Sequence, residues 1–256
     1  MTSANSETTT PDDGATIAAR LAHVDTWVFD LDNTLYPPHC DLWPRIDMRI
    51  TQYMCDMFGM DGLSCRALQK YYYKQYGTTM HGLIEEHGIS PEHYLDFVHD
   101  IDRSDIAADE ALARAIAALP GRRLILTNGS RDHALKTASQ LGLDGLFEAV
   151  YDIAAADLVP KPHPQVYASF FERLGVDPAR AALFEDIERN LVVPHRHGMA
   201  TILVVPRSGG LDHREDWEIL RDRPGHVDFV TDNLAGFLEK AVTHVRERTS
   251  IRSGSI

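Results

Sequence analysis

The sequence predicts an α/β protein, a doubly wound (Rossmann-like) parallel sheet with an all-helical cap inserted after its first strand. Three observations predict it. Short, continuously apolar runs alternate with helical patterns along the chain, as strands do when crossover helices bury both faces of a parallel sheet. The interval 39–117 breaks the alternation, with no strand pattern and many aromatic, methionine and histidine residues. The apolar runs also end in polar, chemistry-bearing residues, and the carboxyl ends of parallel strands are where ligands bind.

Taken in order, residues 1–20 are expected to be disordered, since the first 14 are almost wholly polar and cannot bury enough apolar surface to offset ordering. The α/β core is assigned to 21–38 and 118–247, the helical cap to 39–117 and a flexible tail to 248–256. The strands are "TWVFDLD" (26–32), "RRLILTN" (122–128), "RAALFED" (180–186) and "ATILVVP" (200–206), with weaker candidates at "AVYDIA" near 150 and "HVDFV" near 228. Ser130 or Asp132 caps a helix running to Gly142. A second helix opens on Pro164 and stops at Gly175, the asymmetry expected of helix ends. A third, in "TDNLAGFLEKAV", starts from Thr231 or Asp232.

Composition narrows the function. With 256 residues, of which 44% are hydrophobic, the chain can bury a sizeable core. The 25 basic against 38 acidic residues leave a net charge of -13, which argues against nucleic acid or an anionic membrane as partner. An anionic substrate would need local cations. Cys40, Cys55 and Cys65 form no C-x-x-C pair, an odd set that suits a reducing compartment. The opening "MTSANSETTTPDDGAT" lacks the basic start and apolar stretch of a signal peptide, and no apolar run approaches the roughly 18 residues of a membrane span. A cytoplasmic protein is expected; its oligomeric state is left open.

The chemistry gathers at the strand ends. The first strand ends in Asp30-Leu31-Asp32, the second in Thr127-Asn128-Gly129 and the third in Glu185-Asp186, while Lys161 stands in "VPKPHP" at the entry to a helix. Acids crowded together would drive one another's pKa values up. Magnesium removes the difficulty, because it takes oxygen ligands and binds one or two carboxylates together with a substrate phosphate. Asp30 and Asp186 are the expected ligands, with Lys161 neutralising what remains. A carboxylate so placed can attack phosphorus, a second can protonate the leaving alkoxide and later deprotonate water, and Thr127, Asn128 and nearby N–H groups can hold the non-bridging oxygens.

"DLDNTLYP", "LTNGS", "KPHP" and "FEDIERN" resemble, in order, the four motifs of the haloacid dehalogenase-like superfamily, over about residues 24–240. "DLDNTLYPP" and the cap stretch "YKQYGTTMHGL" further resemble the pyrimidine 5′-nucleotidase group. The resemblance implies Asp30 as nucleophile, Asp32 as general acid/base, Thr127 as phosphate-binding hydroxyl and Lys161 as neutralising cation. Asn128 and Gly129 join them in binding phosphate. It implies magnesium held by Asp30, the main-chain carbonyl of Asp32, and Asp186. Where the fourth motif usually has its second acid, this chain has Asn190; either Asn190 or Glu185 is left to support the metal.

The expected activity is magnesium-dependent hydrolysis of a small phosphorylated metabolite, a pyrimidine nucleoside 5′-monophosphate first among them, through an aspartyl-phosphate. Other readings are another small-metabolite phosphatase or a phosphomutase, then a dehalogenase, which needs neither Asp32 nor Asp186, then a non-catalytic phosphometabolite sensor. Tyr36, Thr78, Thr79 and His81 are candidates for substrate contact. Tyr71, Tyr72, Tyr73 and Tyr76 are read mainly as cap packing. His195 and His197 are read as a helix-end cluster, and His81, His87, His93 and His99, six residues apart, match neither helix nor strand and are read as incidental.

Overall fold

The computed structural model describes residues 14–219 and 222–242, and in it all six apolar runs become strands of one parallel sheet. They are β1 (Thr26–Phe29), β2 (Arg122–Leu126), β3 (Ala149–Tyr151), β4 (Ala181–Glu185), β5 (Ala200–Val204) and β6 (Phe229–Thr231), in the order β3-β2-β1-β4-β5-β6. β1 lies in the middle, Phe29 level with Ile125 of β2 and with Phe184 of β4. The chain therefore reverses direction across the sheet between β1 and β4, which opens a crevice beyond their carboxyl ends. β1 and β2 stop just short of the polar ends read from the sequence, while β4 closes on Glu185, so the chemistry sits at the strand ends and in the loops just past them.

Alternate side chains feed two cores. Trp27, Phe29, Ile125, Phe184 and Ile202 lie on one face; Val28, Leu124, Leu126, Leu183 and Leu203 lie on the other. Both faces being dry, the strands read as unbroken apolar runs. The first face takes α1 (Gly14–Leu21), α6 (Glu110–Ala117), α7 (Arg131–Gln140) and a last helix over 234–242, while α8 (Pro164–Leu174) covers the second.

Between β1 and β2 come α2 (Leu42–Phe58), α3 (Gly62–Tyr76), α4 (Thr79–His87) and α5 (Pro91–His99). They enclose a core of their own around Ile46, Met54, Tyr72, Leu83 and Tyr94. Two boundaries move. Residues 14–20 are helical rather than disordered, because Ile17 and Leu21 reach the sheet; 1–13 and the tail 248–256 lie outside the described residues. Helix α6, read with the cap, packs on the sheet instead, its stripe of Leu112, Ala115 and Ile116 meeting the β1 core. A third correction concerns the last helix, whose Gly236 N–H donates to Asn233 Oδ1, so the cap is Asn233 and neither Thr231 nor Asp232. Among the described residues no helix is long and apolar enough to cross a membrane.

Candidate active site

The loop after β1 begins as a continuation of the ladder, with Asp30 N–H donating to Phe184 O at 2.9 Å. It then turns sharply: Asn33 has φ 57°, a left-handed conformation that asparagine tolerates better than most residues. The main chain closes on itself through Leu35 N–H to Leu31 O. Asp30 and Asp32 thus both face the cavity between sheet and cap, together with Thr127, Asn128, Gly129, Lys161, Glu185 and Asp186. Residues spread over more than 150 positions meet as the sequence predicted.

Lys161 is the hub. Its Nζ donates to Asp30 Oδ1 at 2.7 Å, to Glu185 Oε2 at 2.7 Å and to Leu126 O at 2.9 Å. Burial would lower the Lys161 pKa, but Asp30 and Glu185 outweigh it and the ammonium is stabilised. Asn128 fixes the lysine loop by accepting from Lys161 N–H at 2.8 Å and donating to Lys161 O. Thr127 Oγ1 accepts from Gly129 N–H at 2.9 Å, which holds the turn. A Cβ on Gly129 would stand 3.2 Å from the His133 ring and 3.3 Å from Thr127 Oγ1, so the bare glycine lets these groups close in.

One lysine does not balance the acids. Burial and Glu185 push Asp30 up to about 8 despite Lys161; burial, then Glu185 and Asp30, hold Asp186 well above its ordinary value. Asp30, Glu185 and Asp186 each bring an oxygen within 4.8 Å of the others. Both Glu185 oxygens are already engaged, Oε2 by Lys161 and Oε1 by Ile187 N–H. That leaves Asp30 and Asp186 as carboxylates with capacity for a hard cation. Asn190, where a second acid was sought, is buried with an unpaired Oδ1 beside them. The donor set therefore fits Mg2+.

Asp32 lives in a different environment. Burial would raise its pKa, yet the electrostatic influence of His133 and the hydrogen bonds from His133 and Tyr36 hold it below the ordinary carboxylate range. Two acids two residues apart are thus pushed in opposite directions by their surroundings.

The cap supplies the opposite wall: Trp43, Gln69, Lys70, Tyr73, Thr78, Thr79 and Tyr94 among others. Thr78 and Thr79 line it as predicted, although Thr78 Oγ1 is occupied in capping α4 and Thr79 Oγ1 donates to Gln69 O. Two predicted contacts fall outside it. Tyr36 is buried behind the loop that follows β1 and donates to Asp32 Oδ1 at 2.7 Å; His81 packs near Tyr76 and is not part of the cavity wall. Conversely His99, read as incidental, lines the cavity and stacks on His133 at 4.3 Å. His133, Arg103, Lys70, Arg189 and Glu218 were all missed. His133 alone left a signal: it sits in the first turn of a helix that starts straight after the Thr127 loop, a turn that must face the strand ends.

Three comparisons place the chain among known proteins. A family model described as haloacid dehalogenase-like hydrolase matches residues 24–192, well over half of the chain. Phosphate metabolism protein 8 of Saccharomyces cerevisiae is 25% identical over 191 residues, covering 68% of this chain and 60% of that protein; the chain thus spans about three-fifths of that curated relative. Among solved structures, the L-2-haloacid dehalogenase from Xanthobacter autotrophicus with chloropropionic acid covalently bound aligns with TM-score 0.50 and 19% identity, over 84% of this chain and 97% of that one. The UTR4 protein of Saccharomyces cerevisiae aligns with TM-score 0.50 and 16% identity, over 82% and 98%. At those identities the two structures share the fold.

Proposed function

The chain belongs to the haloacid dehalogenase-like hydrolases, and within that family we propose that it is a magnesium-dependent phosphomonoesterase. Its substrate is a small nucleotide, a pyrimidine nucleoside 5′-monophosphate by preference. The observation that carries the reading is the second acid, Asp32, facing the same cavity as Asp30. Displacing halide from carbon needs no such acid, whereas expelling an alkoxide from phosphorus does.

Mg2+ would be held by Asp30, Asp186 and the main-chain carbonyl of Asp32, and when bound it supplies positive charge to the phosphate and the clustered carboxylates. The chain's own residues do the rest. Asp30 attacks phosphorus, the ester P–O bond breaks, and Asp32 gives its proton to the departing oxygen. Asp32 then takes a proton from the water that hydrolyses the aspartyl-phosphate, so inorganic phosphate leaves and Asp30 is restored. Thr127, Asn128 and nearby N–H groups receive the non-bridging oxygens. Lys161 offsets part of the burial and of the Glu185 repulsion that oppose the charge on Asp30. Aromatic Trp43, Tyr73 and Tyr94 offer a base and sugar apolar faces.

A nucleotide panel read out as free phosphate tests this. Release should need Mg2+ and stop in EDTA, and Asp30→Asn should lose more than about a thousandfold. Wild-type turnover in that variant rejects the nucleophile. Halide release from a 2-haloacid in EDTA would favour the dehalogenase reading, and tight nucleotide binding without release would favour a sensor.

A further inference from the structure

The oxygen atoms of Asp32 are not equivalent. Oδ1 accepts from Tyr36 OH at 2.7 Å and bonds His133 Nε2 at 2.8 Å; among the described residues no side chain engages Oδ2. The His133 contact has a defined polarity. Arg103 Nη2 stands 2.8 Å from His133 Nδ1, and a guanidinium has only hydrogens to offer. Nδ1 must therefore accept, and Nε2 carries the proton that points at Asp32. His133 is fully buried and stacked on His99 with rings 6° from parallel; His99 in turn is bonded to Ser130 Oγ at 3.0 Å. Arg103 also donates to His99 O and Ile101 O. The imidazole is thus clamped by the end of the last cap helix and by the linker returning to the sheet.

We propose that His133 and Tyr36 are positioning residues for Asp32: by saturating Oδ1 with two donors they confine its transferable proton to Oδ2, the oxygen left for the substrate. An oxygen already accepting two hydrogen bonds cannot also carry the acidic hydrogen, so protonation has one outcome. The role rests on the proposed hydrolysis, since it concerns the atom from which the leaving oxygen draws its proton. The cap residues His99 and Arg103 extend the support, so the acid is aligned only while the cap is seated.

The test compares two substrates with Mg2+, a nucleoside 5′-monophosphate, whose alkoxide must be protonated, and p-nitrophenyl phosphate, whose leaving group needs no proton. The readout is kcat/KM, which reports phosphoryl transfer. His133→Ala should lower it about a hundredfold for the nucleotide and less than about fivefold for the aryl ester. His133→Gln, which can present an N–H near the position of Nε2, should regain about tenfold of the nucleotide loss. Tyr36→Phe, which removes a single oxygen, should show the same selectivity at smaller size and carries the test if His133→Ala fails to fold. Equal losses on both substrates, or no gain from His133→Gln over His133→Ala, overturn the positioning role while leaving the hydrolase reading intact. A wild-type protein that releases phosphate from neither substrate sinks both.

Discussion

Asp30 and Asp32 make opposite contributions to the pH dependence of folding. Asp30, ordinarily near 3.8, is pushed up to about 8 by burial and Glu185. Between those values the folded chain holds a proton that the unfolded chain has released, so its stabilising contribution is complete below about pH 4 and is lost as pH rises through about 8. Asp32, brought down to about 2, contributes above pH 4 and loses its contribution as pH falls toward 2. In EDTA, denaturant midpoints should therefore decline from about pH 5 to 8, and Asp30→Asn should decline less steeply; parallel curves would refute the assignment. At this scale the sequence was legible wherever a residue sat on a strand end, because position alone aims such a side chain. Asp30, Thr127 and Asp186 were found that way, and Lys161 from its place at the entry to a helix. Tyr36 was placed on the wrong side of its loop because the turn at Asn33 reverses it, and His99 and Arg103 were invisible because their partner, His133, lies more than 25 residues away.

Elements were legible to the extent that their signals are local. α7 starts at Ser130, whose Oγ accepts from His133 N–H, and α8 runs from Pro164 to a left-handed Gly175, as end signals foretell. Helix α6 was misassigned because its apolar stripe says that it is buried and not against what. Within the cap the tightest joint is between α3 and α4. A Cβ on Gly82 would lie 2.8 Å from Tyr72 Cβ and 2.9 Å from Tyr76 Cδ2, closer than side chains pack, so the two helices touch there only because the residue is glycine. Gly82→Ala should destabilise the protein by about 1–3 kcal/mol, seen as a lower thermal midpoint, with nucleotide kcat/KM reduced by the misfit cap. An unchanged midpoint would show that the helices separate without cost.

For the molecule as a whole, the alternation of apolar runs was enough to infer the sheet, since parallel strands buried on both faces have few other sequence patterns. How the cap seats was not readable, because it depends on contacts made after β5. There the loop reaches over to α3: Lys70 pairs with Glu215 at 2.6 Å, and Glu218 accepts from Tyr73 OH and pairs with Arg189 at 3.0 Å. Glu218 is nearly buried, so removing it strands a phenol and a guanidinium. Glu218→Ala should cost about 2–4 kcal/mol, speed amide exchange in α3, and raise the nucleotide KM. Exchange and KM both at wild-type levels would mean that the latch does not hold the cap.

The middle position of β1 has a consequence for synthesis on the ribosome. Among the described strands β1 emerges first, yet one flank waits for β2 and the other for β4, whose last residue is Glu185. The cap helices, all complete by His99, can consolidate while the strand that leads into Asp30 still lacks both neighbours. Only once synthesis has passed Asp186 can Asp30, Glu185 and Asp186 be drawn together, and they arrive with Lys161 already translated. The electrostatic cost of gathering them therefore falls at the end of assembly, when a nearly finished scaffold is there to bear it.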